Sequence, residues 1–425
     1  MTTETSLVGK GSAVSVLTES DLREIVANAL GNVPAKAKVL AIIPDTSRDD
    51  NTHILFPIID EILRSKGVEK FDGLVAQGTH PPITNGEKLK KVGFQSFAGK
   101  IFDHEWDNPK QLTKIGQLNA ELTSDASGGE FVQSIDLTIN RLILDYDLLL
   151  VIGATVPHEV AGFSGGAKYF FPGISGAELT NATHWIGALA GIENIIGRIE
   201  TPTRRLIEEA ADHISAEIIN FSSAVSRNGQ GQLETQALFA GDLRLSFRGA
   251  AEVSREINVK FVDRQYKRVV AILDEHYKEL WTGGKASYKL GGIIEDGGEL
   301  VIYAPHLAKI SETHGATIEK FGYAPLAQIK QLVADSDELQ RNLCVAAHLA
   351  HVSYSGSLEN PKKPKYRITM ASGLTALLCE KVGLGFADHE TFDLDAVSND
   401  RETLVIENAG RDLYLLNKRE VRWEN

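Results

Sequence analysis

Asp147-Leu-Leu-Leu-Val-Ile-Gly153 runs directly into Ala154-Thr-Val-Pro-His158-Glu-Val-Ala-Gly-Phe-Ser-Gly-Gly-Ala-Lys168-Tyr-Phe-Phe-Pro-Gly173, and the fold is read from this junction. An unbroken apolar run between a charge and a glycine predicts a strand buried on both faces, the kind that builds parallel sheets. The glycine-rich segment after it carries His158 and Lys168, with His184 soon downstream. In open parallel sheets, ligands collect beyond the carboxyl ends of strands. The junction therefore predicts both an α/β sheet and the place where its chemistry lies.

Working outward, residues 39–44 (VLAIIP) read as another buried strand. Residues 52–66 carry Ile54, Leu55, Ile58, Ile59, Ile62 and Leu63 at helical spacing. Residues 71–77 read as a strand and 86–92 as a helix. Beyond the junction, 177–190 and 202–213 read as helices, and 217–221 and 260–262 as strands. A second α/β unit begins near Lys267, with strands at 269–273, 299–304 and 366–371 and helices at 323–334 and 336–347. The stretch 402–425 reads as a hairpin with Gly410 in its turn. The expected fold class is α/β: two α/β domains with mostly parallel sheets and an active-site cleft between them. The expected bounds are 1–264 for a cofactor-binding domain, 265–400 for a substrate-side domain, and 401–425 for a tail packing on either.

Bulk properties narrow the function. At 425 residues, two domains are the default. A net charge of -13 argues against nucleic acid or an anionic membrane as the main partner. Cys344 and Cys379 are too few for a disulfide framework and lack metal-site spacing, which favours a reducing cytoplasm. The N-terminus has no basic start followed by an apolar core, so no signal peptide is expected. No apolar run approaches the roughly 18–20 residues that span a bilayer.

Three loops after strands carry polar chemistry. Pro44-Asp45-Thr46-Ser47-Arg48 places Asp45 and Arg48 three apart before a helix. It reads either as a pocket for an anion or as an ordinary helix cap. Gly78-Thr79-His80-Pro81-Pro82 holds a histidine on a stiff turn, suited to a general base or to a plain surface turn. The third is the segment from His158 to His184. Lys168 after Ser164-Gly165-Gly166 superficially suggests a phosphate loop, but Tyr169 stands where Ser or Thr belongs, so ATP hydrolysis is disfavoured.

The segment PHEVAGFSGGAKYFFPGISG, followed by THW, resembles the signature of the nickel-pincer lactate racemases. In that family a histidine precedes a GFSGG-type turn, a lysine follows it, and a further histidine lies downstream. Asp45 and Arg48 match its Asp-x-x-Arg loop, and His80 its other acid/base histidine. In the second domain, Trp281 and Lys285 match an aromatic residue and a lysine four apart.

The resemblance implies an isomerase: a racemase or epimerase that inverts C2 of a 2-hydroxyacid by reversible hydride transfer. The implied cofactor is a nickel-pincer nucleotide (pyridinium-3-thioamide-5-thiocarboxylic acid mononucleotide), covalently attached, with nickel. It assigns His80 and His158 to proton transfer, Lys168 to cofactor attachment and His184 to nickel. Arg48 and Lys285 hold the substrate carboxylate. Ser164, Gly165, Gly166, Asp45 and Trp281 fall on the cofactor side, with Asp45 facing either the cofactor or a substrate hydroxyl. Lactate-specific members carry Tyr-Gln where this chain has Trp281-Thr282. The expected substrate is therefore larger or more polar than lactate, such as a sugar acid. The expected partners are that small molecule and the cofactor-synthesis proteins.

The remaining histidines read differently. His53 and His213 fall on helices and read as structural or solvent-facing. His104 sits in Phe102-Asp103-His104-Glu105-Trp106, which lacks the HExxH spacing of zinc hydrolases. His306, Lys309 and His314 follow a strand of the second unit and could line its substrate side. A nicotinamide oxidoreductase is the competing enzyme class, weakened by the missing G-x-G-x-x-G. A non-catalytic nucleotide- or hydroxyacid-binding protein is the other alternative.

Overall fold

The computed structural model describes residues 7–47, 49–354 and 362–417. It is mixed α/β with mostly parallel sheets, as the alternation of strands and helices predicts. Two compact units emerge, and they are interleaved along the chain. The first comprises Met1–Pro157, Phe163–Thr180 and Arg204–Ile257; the second comprises His158–Gly162, Asn181–Thr203 and Asn258–Asn425.

The first unit is built on a seven-stranded sheet. From edge to edge its strands are Val8–Gly11, Leu233–Gly241, Glu217–Arg227, Leu148–Ala154, Lys38–Pro44, Lys70–Ala76 and Ile101–Phe102. The last five are parallel to one another, and Leu233–Gly241 is antiparallel to both of its neighbours. Leu148–Ala154 is buried at every position, as its unbroken apolar run requires. Val39 to Ile43 are all 0% exposed. Each buried Val, Leu or Ile among them contributes about 1.5–3 kcal/mol, so the register of the central strands is strongly fixed. The helix Thr52–Ser65 turns Leu55, Phe56, Ile58, Ile59 and Leu63 into the same core.

The second unit has a five-stranded, wholly parallel sheet in the order Gly385–Ala387, Arg367–Ser372, Ile294–Ala304, Tyr266–Ile272, Thr403–Ile406. The helix expected over 336–347 is two helices, Asp337–Arg341 and Leu343–Ser353, broken at Asn342. The hairpin expected over 402–425 does not form within the described residues. Thr403–Ile406 pairs with Tyr266–Ile272, whereas Leu413–Leu416 pairs with Val259–Val262, both in parallel. Gly410 does turn the chain, at φ +89°, but it sends the two strands to different partners. Residues 418–425 lie outside the described residues. No described helix is long and apolar enough to cross a membrane.

Candidate active site

In the first unit, the adjacent parallel strands Lys38–Pro44 and Lys70–Ala76 end in register, Pro44 opposite Ala76. The loops that follow are therefore neighbours, and they bring Asp45 to His80. Asp45 Oδ2 lies 2.6 Å from His80 Nδ1. The other carboxylate oxygen accepts the Ser47 hydroxyl at 2.6 Å and the Ser47 amide N–H at 3.1 Å. Asp45 is 6% exposed, and these partners help to set its orientation. A carboxylate at Nδ1 holds the proton there and leaves the lone pair on Nε2, the arrangement a general base needs.

The helix-cap reading of Asp45 fails, because the next helix starts at Thr52 and Asp50 accepts the Thr52 N–H at 2.9 Å. The cofactor-or-hydroxyl alternative left open by the sequence meets a definite partner in the imidazole of His80. Arg48 lies outside the described residues.

The glycine turn before Lys168 also belongs to the first unit. Gly165 and Gly166 have φ of +96° and +57°. A Cβ on Gly165 would stand 2.5 Å from Thr155 Oγ1, and one on Gly166 2.9 Å from Phe247 Cβ. Only glycine fits both the conformation and the space. The fully buried Arg204 donates to the carbonyls of Phe163 and Gly165, the latter at 3.1 Å, while lying 4.0 Å over the Phe247 ring. Ser164 spends its hydroxyl on the Val156 carbonyl, at 3.3 Å. This turn presents Lys168, half-buried in the short 3-10 helix Gly166–Tyr169.

In the second unit, His158 is 5% exposed and its Nδ1 accepts the Val160 N–H at 3.0 Å. Its neutral form therefore carries the proton on Nε2, the opposite tautomer to His80. The Glu159 carboxylate is 3.7 Å from the same Nδ1. His184 lies half-buried on the helix Ala177–Ala190.

Trp281 is stacked between two imidazoles, His314 at 4.5 Å and His348 at 4.2 Å between ring centroids. Its amide donates to the Ile310 carbonyl at 2.9 Å, tying it to the loop that carries His314. Lys285 begins the helix Lys285–Leu290. Of the three loop residues considered from sequence, only His314 joins Trp281. His306 is exposed, with Nε2 3.2 Å from the Tyr277 carbonyl, and Lys309 is paired with Glu312 at 2.7 Å.

His348 and His351 were missed from the sequence. They sit three apart on the apolar helix Leu343–Ser353 (LCVAAHLAHVS), and that spacing on an otherwise apolar face was the available signal. His348 Nδ1 is 2.7 Å from the Tyr288 hydroxyl and Nε2 3.3 Å from that of Tyr323. Burial first, then the fields of His351, His314 and His184, holds His348 well below the usual histidine range. Burial likewise pushes His351 down to about 4, against the opposing field of Glu159.

Among the described residues, no group of three or more His, Cys, Asp or Glu side chains is placed to hold a metal ion.

Residues 13–191 match the lactate racemase N-terminal domain. That span includes Asp45, His80, His158, Lys168 and His184, and excludes Trp281 and Lys285. The lactate racemases of Lactiplantibacillus plantarum and Thermoanaerobacterium thermosaccharolyticum are 34% and 32% identical over 151 residues, 35% of this chain. The matched region spans only 32% of the length of each of those relatives. A crystal structure of a protein from Thermotoga maritima matches with a TM-score of 0.87 at 29% identity, covering 95% of this chain and 99% of that one. The lactate racemase apoprotein from T. thermosaccharolyticum shares the fold, with a TM-score of 0.70 at 20% identity over 95% of this chain and 94% of that one. Over residues 13–191 the chain carries a match to the lactate racemase N-terminal domain, and over 151 residues it is similar in sequence to two lactate racemases.

Proposed function

We propose that this protein is a racemase or epimerase acting at C2 of a 2-hydroxyacid. The observation that carries the reading is the Asp45–His80 pair at 2.6 Å, which lies inside the matched lactate racemase domain. His80 and His158 are the two acid/base groups. Inversion without net proton change requires one histidine neutral and the other protonated at the start. His80 Nε2 takes the substrate hydroxyl proton when the enantiomer on its side reacts, and Asp45 stabilises the imidazolium that forms. His158 returns a proton on the other face. The proton returned is the one on Nε2, so the reacting ring keeps a proton on Nδ1, the other tautomer from the resting one; that N–H displaces the Val160 N–H, and Glu159 is the nearby carboxylate for it.

A nickel-pincer nucleotide supplies the hydride acceptor when bound. The residues fit such a group. The backbone turn at Gly165 and Gly166 excludes side chains, Lys168 offers an amine for covalent attachment, and His184 offers one nickel ligand. Arg48 and Lys285 would hold the substrate carboxylate, Arg48 by a two-pronged contact. Ser164 acts on the cofactor side through the backbone it ties. Trp281, fixed between His314 and His348, shapes the pocket for a substrate larger or more polar than lactate, such as a sugar acid. The two buried free cysteines suit a reducing cytoplasm, where the cofactor-synthesis proteins would be its partners.

Mass spectrometry of protein made beside the cofactor-synthesis enzymes tests this reading. A covalent adduct on Lys168, absent in Lys168→Ala and accompanied by nickel, is the expected result. An unmodified Lys168 under those conditions counts against it.

A further inference from the structure

The motif Phe102-Asp103-His104-Glu105-Trp106 plays no part in the chemistry above, yet His104 is 0% exposed and fully engaged. Its Nε2 is 3.0 Å from the Ser175 carbonyl, so Nε2 must carry the proton. Its Nδ1 accepts from the Asn140 side-chain amide at 3.2 Å. Asn140 Oδ1 accepts the Leu142 N–H at 3.1 Å, which fixes the amide with its NH2 toward the imidazole. Protonating His104 would set N–H against N–H, and burial drives its pKa down to about 4.

The backbone of His104 continues the chain of bonds. Its N–H donates to Gln77 Oε1 at 2.8 Å, and Gln77 Nε2 donates to the Pro81 carbonyl at 2.8 Å. Gln77 thus braces both ends of the turn that carries His80. On the far side, the Gly78 N–H donates to the Gly173 carbonyl at 2.9 Å and the Asn140 N–H to the Ile174 carbonyl at 2.8 Å. Gln77, Asn140 and Ser175 are 3%, 3% and 1% exposed. Buried polar groups are costly unless satisfied, and a satisfied network rigidifies what it ties.

We infer that Gln77, His104 and Asn140 are positioning residues, a buried strut that fixes the His80 turn against residues 173–176, the continuation of the Lys168 turn. This rests on the proposed acid/base role of His80. A misplacement of about 1 Å costs on the order of 10²-fold in rate.

The test uses Gln77→Met and His104→Phe, which keep size and lose the bonds, and His104→Gln, which keeps a donor for Ser175. Gln77→Glu, which keeps only the acceptor for the His104 N–H, covers the case in which the larger changes fail to fold. We expect kcat in the cofactor-loaded enzyme to fall about 10- to 100-fold with KM unchanged. We expect partial recovery in His104→Gln, and no additional loss when each change is made in His80→Ala. In cofactor-free protein, histidine NMR should show a displaced His80 signal in Gln77→Met and His104→Phe. Equal losses in the His80→Ala and unmodified backgrounds would overturn the strut, as would unchanged His80 signals. A fully active His80→Ala would instead overturn the catalytic reading, leaving NMR to judge the strut.

Discussion

Asp45 and His80 illustrate how much one contact decides. With its Nδ1 proton held by a buried carboxylate, His80 has one tautomer and one free basic nitrogen. Asp45→Asn keeps the size and can keep an oxygen toward Ser47, but its amide N–H would face Nδ1 and favour the wrong tautomer. We predict a fall in kcat of about 10²-fold or more with KM nearly unchanged, measured by steady-state racemisation. A variant as active as the parent would remove the tautomer argument. The sequence placed both residues on loops after strands but could not pair them. Pairing depends on the register of two parallel strands, which no local pattern encodes. The histidines stacked on Trp281 were half legible. His314 lies on a recognisable loop, whereas His348 hides in a helix whose apolar neighbours read as plain core.

At the scale of elements, the buried strands and amphipathic helices were readable because burial and periodicity are local properties. Lys38–Pro44, Leu148–Ala154 and Thr52–Ser65 lie within a residue of expectation at each end. The antiparallel pair Leu112–Leu118 and Ile135–Asn140 was not anticipated: burial is irregular along Leu112–Leu118, and the apolar alternation of Ile135–Asn140 spans only six residues. The glycine turn was recognised by composition, but its restraint by the buried Arg204 was not. Gly165→Ala places a Cβ 2.5 Å from Thr155 Oγ1 in a left-handed conformation. A cost of about 1–3 kcal/mol is expected from the backbone conformation alone. Thermal melts should show a lower midpoint, and the Lys168 adduct should be lost even in protein that remains folded. An unaltered adduct yield would show that the turn does not present the lysine.

For the whole molecule, the interleaved division of the chain was the least legible feature. Segments His158–Gly162 and Asn181–Thr203 group with the second unit although they lie deep within the sequence of the first. Such an exchange is set by tertiary packing, not by any linker composition. Buried histidines give the molecule a pH signature. His104 and His351 are held near 4, against about 6.5 for a free histidine, and burial also lowers His348 well below that range. Between pH 6.5 and 4 the unfolded chain binds protons that the folded chain refuses, so stability falls as pH falls through that window. Above it these groups contribute no pH dependence. The slope reaches at most about 1.4 kcal/mol per pH unit for each such histidine. Melting midpoints should be level from pH 8 to 7 and decline steadily from 6 to 4.5. A flat profile would show that the histidines are not buried in their neutral forms.

The central claim is inversion at C2 by hydride movement, with His80 and His158 handling only the hydroxyl proton. Its most direct test follows a set of 2-hydroxyacids, from lactate to aldonates, deuterated at C2, with cofactor-loaded protein in ordinary water. The account predicts that at least one substrate inverts while keeping its deuterium. Inversion with loss of the label to solvent, or no inversion of any member of the series, would contradict it.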